Sequence, residues 1–169
     1  MPQVRAAVIL LLAGSTLAGC GGGGERAFTS VGTPTDLTCV PYAENVTGIV
    51  LPGDAYAWWR EAAGRYMRAR YPAPGAVLVF RPTAAMPLGH VAVVTAVLSQ
   101  REILVEHANW VPYRVTWNQP VVDVSPANNW SRVRVWYPPI GAFGTSAYPV
   151  YGFILPEATL ASRASYSSR

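Results

Sequence analysis

Cysteine and histidine are scarce in this chain, and their positions suggest a nucleophilic site. The 169 residues include two cysteines, Cys20 and Cys39, and two histidines, His90 and His107. A thiolate can attack an amide carbonyl when an imidazole takes its proton and later protonates the leaving amine. Cys39 paired with a histidine would therefore suit amide hydrolysis through an acyl-enzyme.

Cys39 lies at the start of a predicted helix. Residues 36–45 (DLTCVPYAEN) predict a short helix, and Pro41, which lacks an amide proton, must fall in its first turn. Unpaired amides and the helix dipole at that end favour negative charge, so we expect a lowered pKa for the Cys39 thiol. The competing interpretation is a small buried cysteine that acts only as a hydrophobic side chain.

His90 follows Gly89 and opens a predicted apolar strand. An imidazole at such a site needs a polar neighbour that fixes its tautomer and its orientation. The end of the next predicted strand offers three candidates: Glu106, His107 and Asn109. Because side chains alternate along a strand, His107 and Asn109 would share one face and Glu106 would lie on the other.

A metal site is the other chemistry that these residue types allow. Cys39, His90 and His107 carry ligand types that zinc accepts, but no further ligand occurs at a suitable spacing. We therefore expect neither a metal nor a cofactor.

Helices precede strands in the sequence. Asp54 is a good N-cap, and apolar residues recur after it at helical spacing, which predicts a second helix over residues 54–71. Beyond residue 72, short runs rich in β-branched residues predict strands at 75–81, 90–98, 102–109, 132–137 and 150–155.

The connections between these strands complete the fold prediction. The link 99–101 is short and predicts an antiparallel hairpin, whereas residues 112–131 are rich in turn-forming residues and predict a loop. Helices first and strands after predict an α+β fold, with the helices packed on an antiparallel sheet of about five strands.

The order of these residues resembles the CHAP domain, a family of cysteine- and histidine-dependent amidohydrolases and peptidases related to the NlpC-type and papain-like families. The matching segments are Cys39-Val40-Pro41-Tyr42-Ala43, Gly53-Asp54-Ala55, Pro74-Gly75-Ala76-Val77, Gly89-His90-Val91-Ala92 and Asn109-Trp110. The resemblance implies a papain-like, NlpC-type fold that hydrolyses peptidoglycan, with Cys39 as the nucleophile and His90 as the general base and acid. It also implies Asn109 or a neighbour as the orienting residue; we prefer Asn109 and hold His107 as the second choice.

Two positions depart from the family pattern. Leu37-Thr38 stands where the family usually has Gly-Gln, so the oxyanion would depend on the Cys39 amide and the Thr38 hydroxyl. His107 occupies a position that is often Glu in the family. These departures leave a second hypothesis open, in which the chain is a catalytically inactive binding module of the cell envelope.

The first residues resemble the export signal of a bacterial lipoprotein. Arg5 and an apolar run precede Leu17-Ala18-Gly19-Cys20, which is similar to a lipobox. The resemblance implies a signal peptide over residues 1–19 and a lipid on Cys20, which would anchor the protein to a membrane facing the periplasm. No Asp follows Cys20 directly, so the outer membrane is favoured in a host with two membranes.

The remaining boundaries follow from composition. Residues 20–35 are rich in Gly, Thr, Ser and Pro and predict a flexible tether, residues 36–155 would form the domain, and residues 156–169 would be a disordered tail. We expect a monomer.

Composition excludes several classes of protein. Hydrophobic residues make up 51% and charged residues 13% of the chain, which excludes intrinsic disorder. The net charge is +4, but the 13 basic residues are all arginine and form no block along the sequence. A nucleic-acid partner is therefore not indicated. The partner that the CHAP resemblance implies is peptidoglycan.

Overall fold

The computed structural model describes residues 32–156. The predicted signal peptide, Cys20 and most of the predicted tether lie outside these residues, as does the tail beyond Pro156. No helix within the described range is long and apolar enough to cross a membrane. Thr33–Pro34, which we placed in the tether, form a short strand of the sheet.

Two α-helices and nine β-strands are found in residues 32–156. The helices are α1 (Cys39–Thr47) and α2 (Ala55–Glu61). The strands are β1 (Thr33–Pro34), β2 (Met67–Ala69), β3 (Val77–Phe80), β4 (His90–Ser99), β5 (Glu102–Ala108), β6 (Arg114–Asp123), β7 (Arg132–Tyr137), β8 (Ala142–Phe143) and β9 (Tyr148–Leu155). A 3₁₀ turn, Pro138–Ile140, follows β7.

Six of the strands close into an antiparallel barrel. Around the barrel they run β6, β5, β4, β3, β9 and β7, and β7 pairs with β6 to complete the ring. The short strands β1, β2 and β8 pair with β6, β9 and β7 respectively. Closure leaves the six barrel strands without a free edge over the paired residues.

The predicted fold is therefore wrong. We expected an α+β fold of the papain-like, NlpC type, with helices packed on a sheet of about five strands. Strands hold 43% and helices 15% of the described residues. Two segments account for the difference. The second helix ends at Glu61 rather than near residue 71, because Gly64 takes a left-handed backbone with φ +74° and the chain then enters β2.

The second segment is 112–131, which we predicted as a loop. It contains the ten-residue strand β6, which pairs with β5 on one side and β7 on the other. The turn-forming residues within it are accommodated by a bulge, since the β5–β6 register shifts opposite Glu106 and Asn118 has φ +52°. Without β6 the barrel could not close.

Other local predictions are confirmed. The link at 99–101 joins β4 and β5 as an antiparallel hairpin. The strand over 132–137 has the bounds we expected. The first helix spans Cys39–Thr47 rather than residues 36–45; Pro41 lies in its first turn as predicted, and the helix ends before Gly48, which has φ +70°.

Two apolar layers hold the barrel and the helices together. Alternate residues of β3, β4 and β9, among them Phe80, Val94 and Phe153, fill the interior of the barrel. The residues between them face outward, where Val79 and Val91 pack against α1 and α2 around the fully buried Trp58. Burial of each such large side chain stabilises the fold by about 1.5–3 kcal/mol.

Candidate active site

The nucleophile candidate is the first residue of α1. Thr38 before it is extended (φ −87°, ψ 174°), and its carbonyl accepts the first helical hydrogen bond from the Tyr42 amide at 3.2 Å. Pro41 lies in the first turn, where its missing amide proton costs no helical hydrogen bond. The Cys39 side chain is partly exposed and lines a cleft.

His90 lies at the end of β4 that meets this cleft. Gly89 before it has φ +69°, and a Cβ there would lie 3.0 Å from both the Phe80 carbonyl oxygen and the Tyr56 amide nitrogen. Glycine therefore lets three backbone segments meet beside His90. The His90 side chain is only 5% exposed, yet it reaches the cleft that Cys39 lines.

The hydrogen-bonded neighbour of the His90 ring is His107. His90 Nε2 and His107 Nδ1 are 3.1 Å apart, and the two rings meet edge to face. His107 is 1% exposed, and its Nε2 has no partner among the described residues. Of the candidate orienting residues, His107 is therefore the one whose ring contacts His90.

Asn109, our preferred orienting residue, is engaged elsewhere. Its Oδ1 accepts a hydrogen bond from the Tyr113 amide at 3.0 Å. Strand β5 ends at Ala108, and Asn109 takes a left-handed backbone with φ +62°, so the alternation that we extended to it no longer applies. The side chain lines the cleft without holding His90 in the way we expected.

Glu106 points away from His90, as alternation along β5 predicts. Its carboxylate accepts a hydrogen bond from the Tyr42 hydroxyl on α1. Burial raises the pKa of Glu106, and burial together with the Glu106 charge raises the pKa of Tyr42 to about 12. Glu106 thus joins α1 to the barrel wall and lies outside the candidate site.

Aromatic side chains enclose the histidine pair. Trp110 stacks on His107 with ring centroids 5.4 Å apart and lies 5.2 Å from the His90 ring. Phe80 meets His90 edge to face at 5.6 Å. The sequence singled out Trp110 only as part of a motif, and it gave no sign of Phe80. Phe80 can be identified only from the pairing of β3 with β4, which places it opposite His90.

The electrostatics differ from our expectation of a lowered thiol pKa. Burial raises the pKa of Cys39, although the amides of Val91, Cys39 and Val40 hydrogen-bond the thiol and oppose the rise. Burial lowers the pKa of His90 to about 3. The resting pair is therefore a neutral thiol and a neutral imidazole, because both lie where charge is poorly solvated.

The cleft that Cys39 and His90 share has a volume of about 830 Å³. Part of its lining comes from β7, from the segment after β7 and from the start of β9. This part, called here the far wall, is largely apolar and contains Val135, Tyr137, Ile140, Phe143 and Tyr148. Asp54 and Thr38 line the same cleft as Cys39. The cleft is large enough for a short peptide.

A comparison with protein families gives one match. The family model of the CHAP domain matches residues 29–109, a segment that contains Cys39, His90 and His107 and ends just after β5. The barrel strands β6, β7 and β9, with much of the far wall of the cleft, lie beyond it. No curated protein matches the chain.

Proposed function

Because the family model of the CHAP domain matches residues 29–109, and members of that family are generally hydrolases and peptidases, we propose that the chain cleaves amide bonds of peptidoglycan with Cys39 as the nucleophile. The observation that carries the proposal is that Cys39 and His90 line one cleft, while His107 is hydrogen-bonded to Nε2 of His90. A nucleophile, a base and a residue that orients the base are the parts that acyl transfer needs.

The two nitrogens of His90 have separate tasks in this mechanism. Since Nε2 faces His107, Nδ1 is the nitrogen available to the thiol. As Sγ bonds to the carbonyl carbon, the thiol proton moves to Nδ1. When the C–N bond breaks, His90 gives this proton to the leaving amine. Water then attacks the thioester carbon and gives a proton to His90. The C–S bond breaks, the Cys39 sulfur takes this proton back from His90, and the acid is released.

His107 is suited to hold His90 because burial keeps it uncharged. Burial and the neighbouring His90 lower its pKa well below the ordinary value. We propose that the neutral His107 carries its proton on Nε2 and accepts at Nδ1, so that His90 donates its Nε2 proton and leaves its Nδ1 lone pair for the thiol. We therefore assign the positioning role to His107 rather than to Asn109.

The resting pair is uncharged, so charge develops only as the thiol attacks. The amides of Cys39, Val40 and Val91 that contact the sulfur stabilise thiolate character during that step. Thr38 replaces the usual Gln of the family, and its hydroxyl makes no cap hydrogen bond to the helix. We propose that the Thr38 hydroxyl and the Cys39 amide bind the oxyanion.

Digestion of purified peptidoglycan sacculi tests this function. The full chain is incubated in detergent with sacculi, and released fragments are identified by mass spectrometry. We expect soluble muropeptides from the wild type and none from Cys39→Ala. Equal release by both proteins would remove Cys39 from the mechanism. The masses of the new ends also identify the amide that is cut.

A binding module without catalysis is the second candidate function. It is favoured by the raised pKa of Cys39, since a protonated thiol is a poor nucleophile, and by Thr38 in place of Gln. Co-sedimentation with sacculi discriminates the two. Binding without fragment release, equal in the wild type and Cys39→Ala, would support the binding module.

We further propose that the protein acts in the cell envelope, held to a membrane by a lipid on Cys20. The support is the sequence before Cys20, which is similar to a lipobox. Intact mass of the protein from the host membrane fraction tests this. A mass that fits cleavage before Cys20 with added acyl chains is expected, and an unmodified Cys20 would contradict the anchor.

A further inference from the structure

Asp54 brings a charge into a cleft that is otherwise uncharged. Of the described residues that line the cleft, Asp54 is the only Asp, Glu, Lys or Arg. It lines the same cleft as Cys39, and its charge acts on the thiol. A fixed negative charge beside a nucleophilic sulfur opposes thiolate formation. If Asp54 had only a structural role, we would expect its side chain to cap the helix or to form an ion pair.

Asp54 does not have the structural role that is usual for an aspartate before a helix, which is to cap the helix with its side chain. Asp54 is the N-cap of α2 by backbone (φ −70°, ψ 165°), but its side chain makes no cap hydrogen bond. It belongs to neither of the ion pairs found within residues 32–156, which are Arg60–Glu61 and Arg101–Asp123. Asp54 is also exposed, so its carboxylate is open to a ligand.

We propose that Asp54 is a specificity residue that binds a primary ammonium group of the substrate next to the scissile amide. The class of substrate is then a peptide with a free amine near the cleaved bond, either on the side chain of a diamino acid or at an amino terminus. A cation at Asp54 would also offset the negative charge beside Cys39 when the thiol loses its proton. The proposal rests on the proposed function for its reaction, but ammonium binding at Asp54 does not require turnover.

Charged thiol reagents test the site without a substrate. Methanethiosulfonates that carry an aminoethyl cation, a neutral methyl group or a sulfonatoethyl anion react with Cys39, and peptide mapping separates this adduct from any on Cys20. We expect the cation-to-anion rate ratio to fall about fivefold or more in Asp54→Asn. Asparagine is also a good N-cap, so the helix is retained.

Glu44→Gln is the matched control, because it removes a carboxylate from α1 that does not line the cleft. Its cation-to-anion ratio should equal that of the wild type. A ratio in Asp54→Asn that stays at the wild-type value would overturn the proposal, even if the protein digests sacculi. A ratio that falls would support it, even if no digestion is found.

Synthetic stem peptides distinguish the two sources of the amine. One peptide is acetylated on its side-chain amine, another at its amino terminus, and the third is unmodified. Acetylation of the amine that Asp54 binds should lower kcat/KM in the wild type and have little further effect in Asp54→Asn. If neither acetylation lowers kcat/KM in the wild type, the specificity role is wrong.

Discussion

At the scale of single residues, burial governs the chemistry of the histidine pair. His90 and His107 are both almost fully enclosed and share a hydrogen bond of 3.1 Å, with Trp110 stacked on His107. Burial disfavours a second proton on either ring, and in the proposed arrangement His90 donates through Nε2 and His107 accepts at Nδ1. We therefore expect removal of His107 to change the tautomer of His90 more than it changes the stability of the fold.

His107→Ala should lower kcat by about ten- to ten-thousand-fold with little change in KM, since it leaves His90 present but unoriented. His107→Asn should restore part of this loss, because its amide oxygen can accept the Nε2 proton of His90. Steady-state kinetics on a soluble muropeptide provide both values. Asn109→Ala is the comparison, and a larger loss in kcat there than in His107→Ala would return the positioning role to Asn109.

At the scale of elements, His90, the proposed base, is positioned where β3, β4 and α2 meet at Gly89. The Gly89 amide donates to the Met86 carbonyl at 3.0 Å, and the Tyr56 amide of α2 donates to the Leu88 carbonyl at 3.0 Å. These bonds join the start of α2 to the loop before His90. A shift of this junction would move the His90 ring relative to Cys39.

Gly89→Ala tests this junction, because the new Cβ would meet backbone atoms at 3.0 Å in a backbone that disfavours any side chain. Gly48→Ala is its matched control, with φ +70° and nothing within 4 Å of the added Cβ. Gly48→Ala should lower the free energy of unfolding by about 1–2 kcal/mol. Gly89→Ala should lower it further and reduce activity. Urea denaturation measures both, and equal losses would show that the close approach at Gly89 is unimportant.

At the scale of the whole molecule, the closed barrel places the site at one of its ends. Residues from α1, from the loop before α2, from the start of β4 and from the region after β5 all reach the same cleft. The far wall of the cleft is contributed by residues after 130, beyond the segment that the CHAP family model matches. The reacting groups and the apolar wall thus come from different parts of the chain.

Acid should destabilise the whole domain through the buried histidines. In the unfolded chain His90 gains a proton below about pH 6.5, whereas in the fold it stays neutral down to about pH 3. The unfolded state then binds more protons in this window, so the free energy of unfolding falls as the pH falls from 6.5 toward 3. Between pH 7.5 and pH 5 the loss from His90 should be about 2 kcal/mol.

Thermal denaturation at a series of pH values measures this effect, with His90→Gln as the control. The variant should lose less stability than the wild type between pH 7.5 and pH 5. If the two pH profiles run parallel, His90 is not held neutral by the fold.

The sequence alone determined the features that depend on a few neighbouring residues. Pro41 fixes the start of α1 and so places Cys39 at a helix end, Gly89 places His90 at the start of β4, and the short link at 99–101 requires a hairpin. Each follows from backbone chemistry within about one turn or one strand. The family resemblance was carried by the same local motifs.

The tertiary structure decided what depends on residues that are distant in the chain. The sheet became a six-stranded barrel because β6, whose turn-forming residues resemble a loop, pairs with β7 and closes the ring. His107 rather than Asn109 meets His90 because β5 ends one residue before Asn109. The thiol and the imidazole are neutral because the packing of strands and helices around them removes water, and no local sequence pattern records how much water a fold excludes.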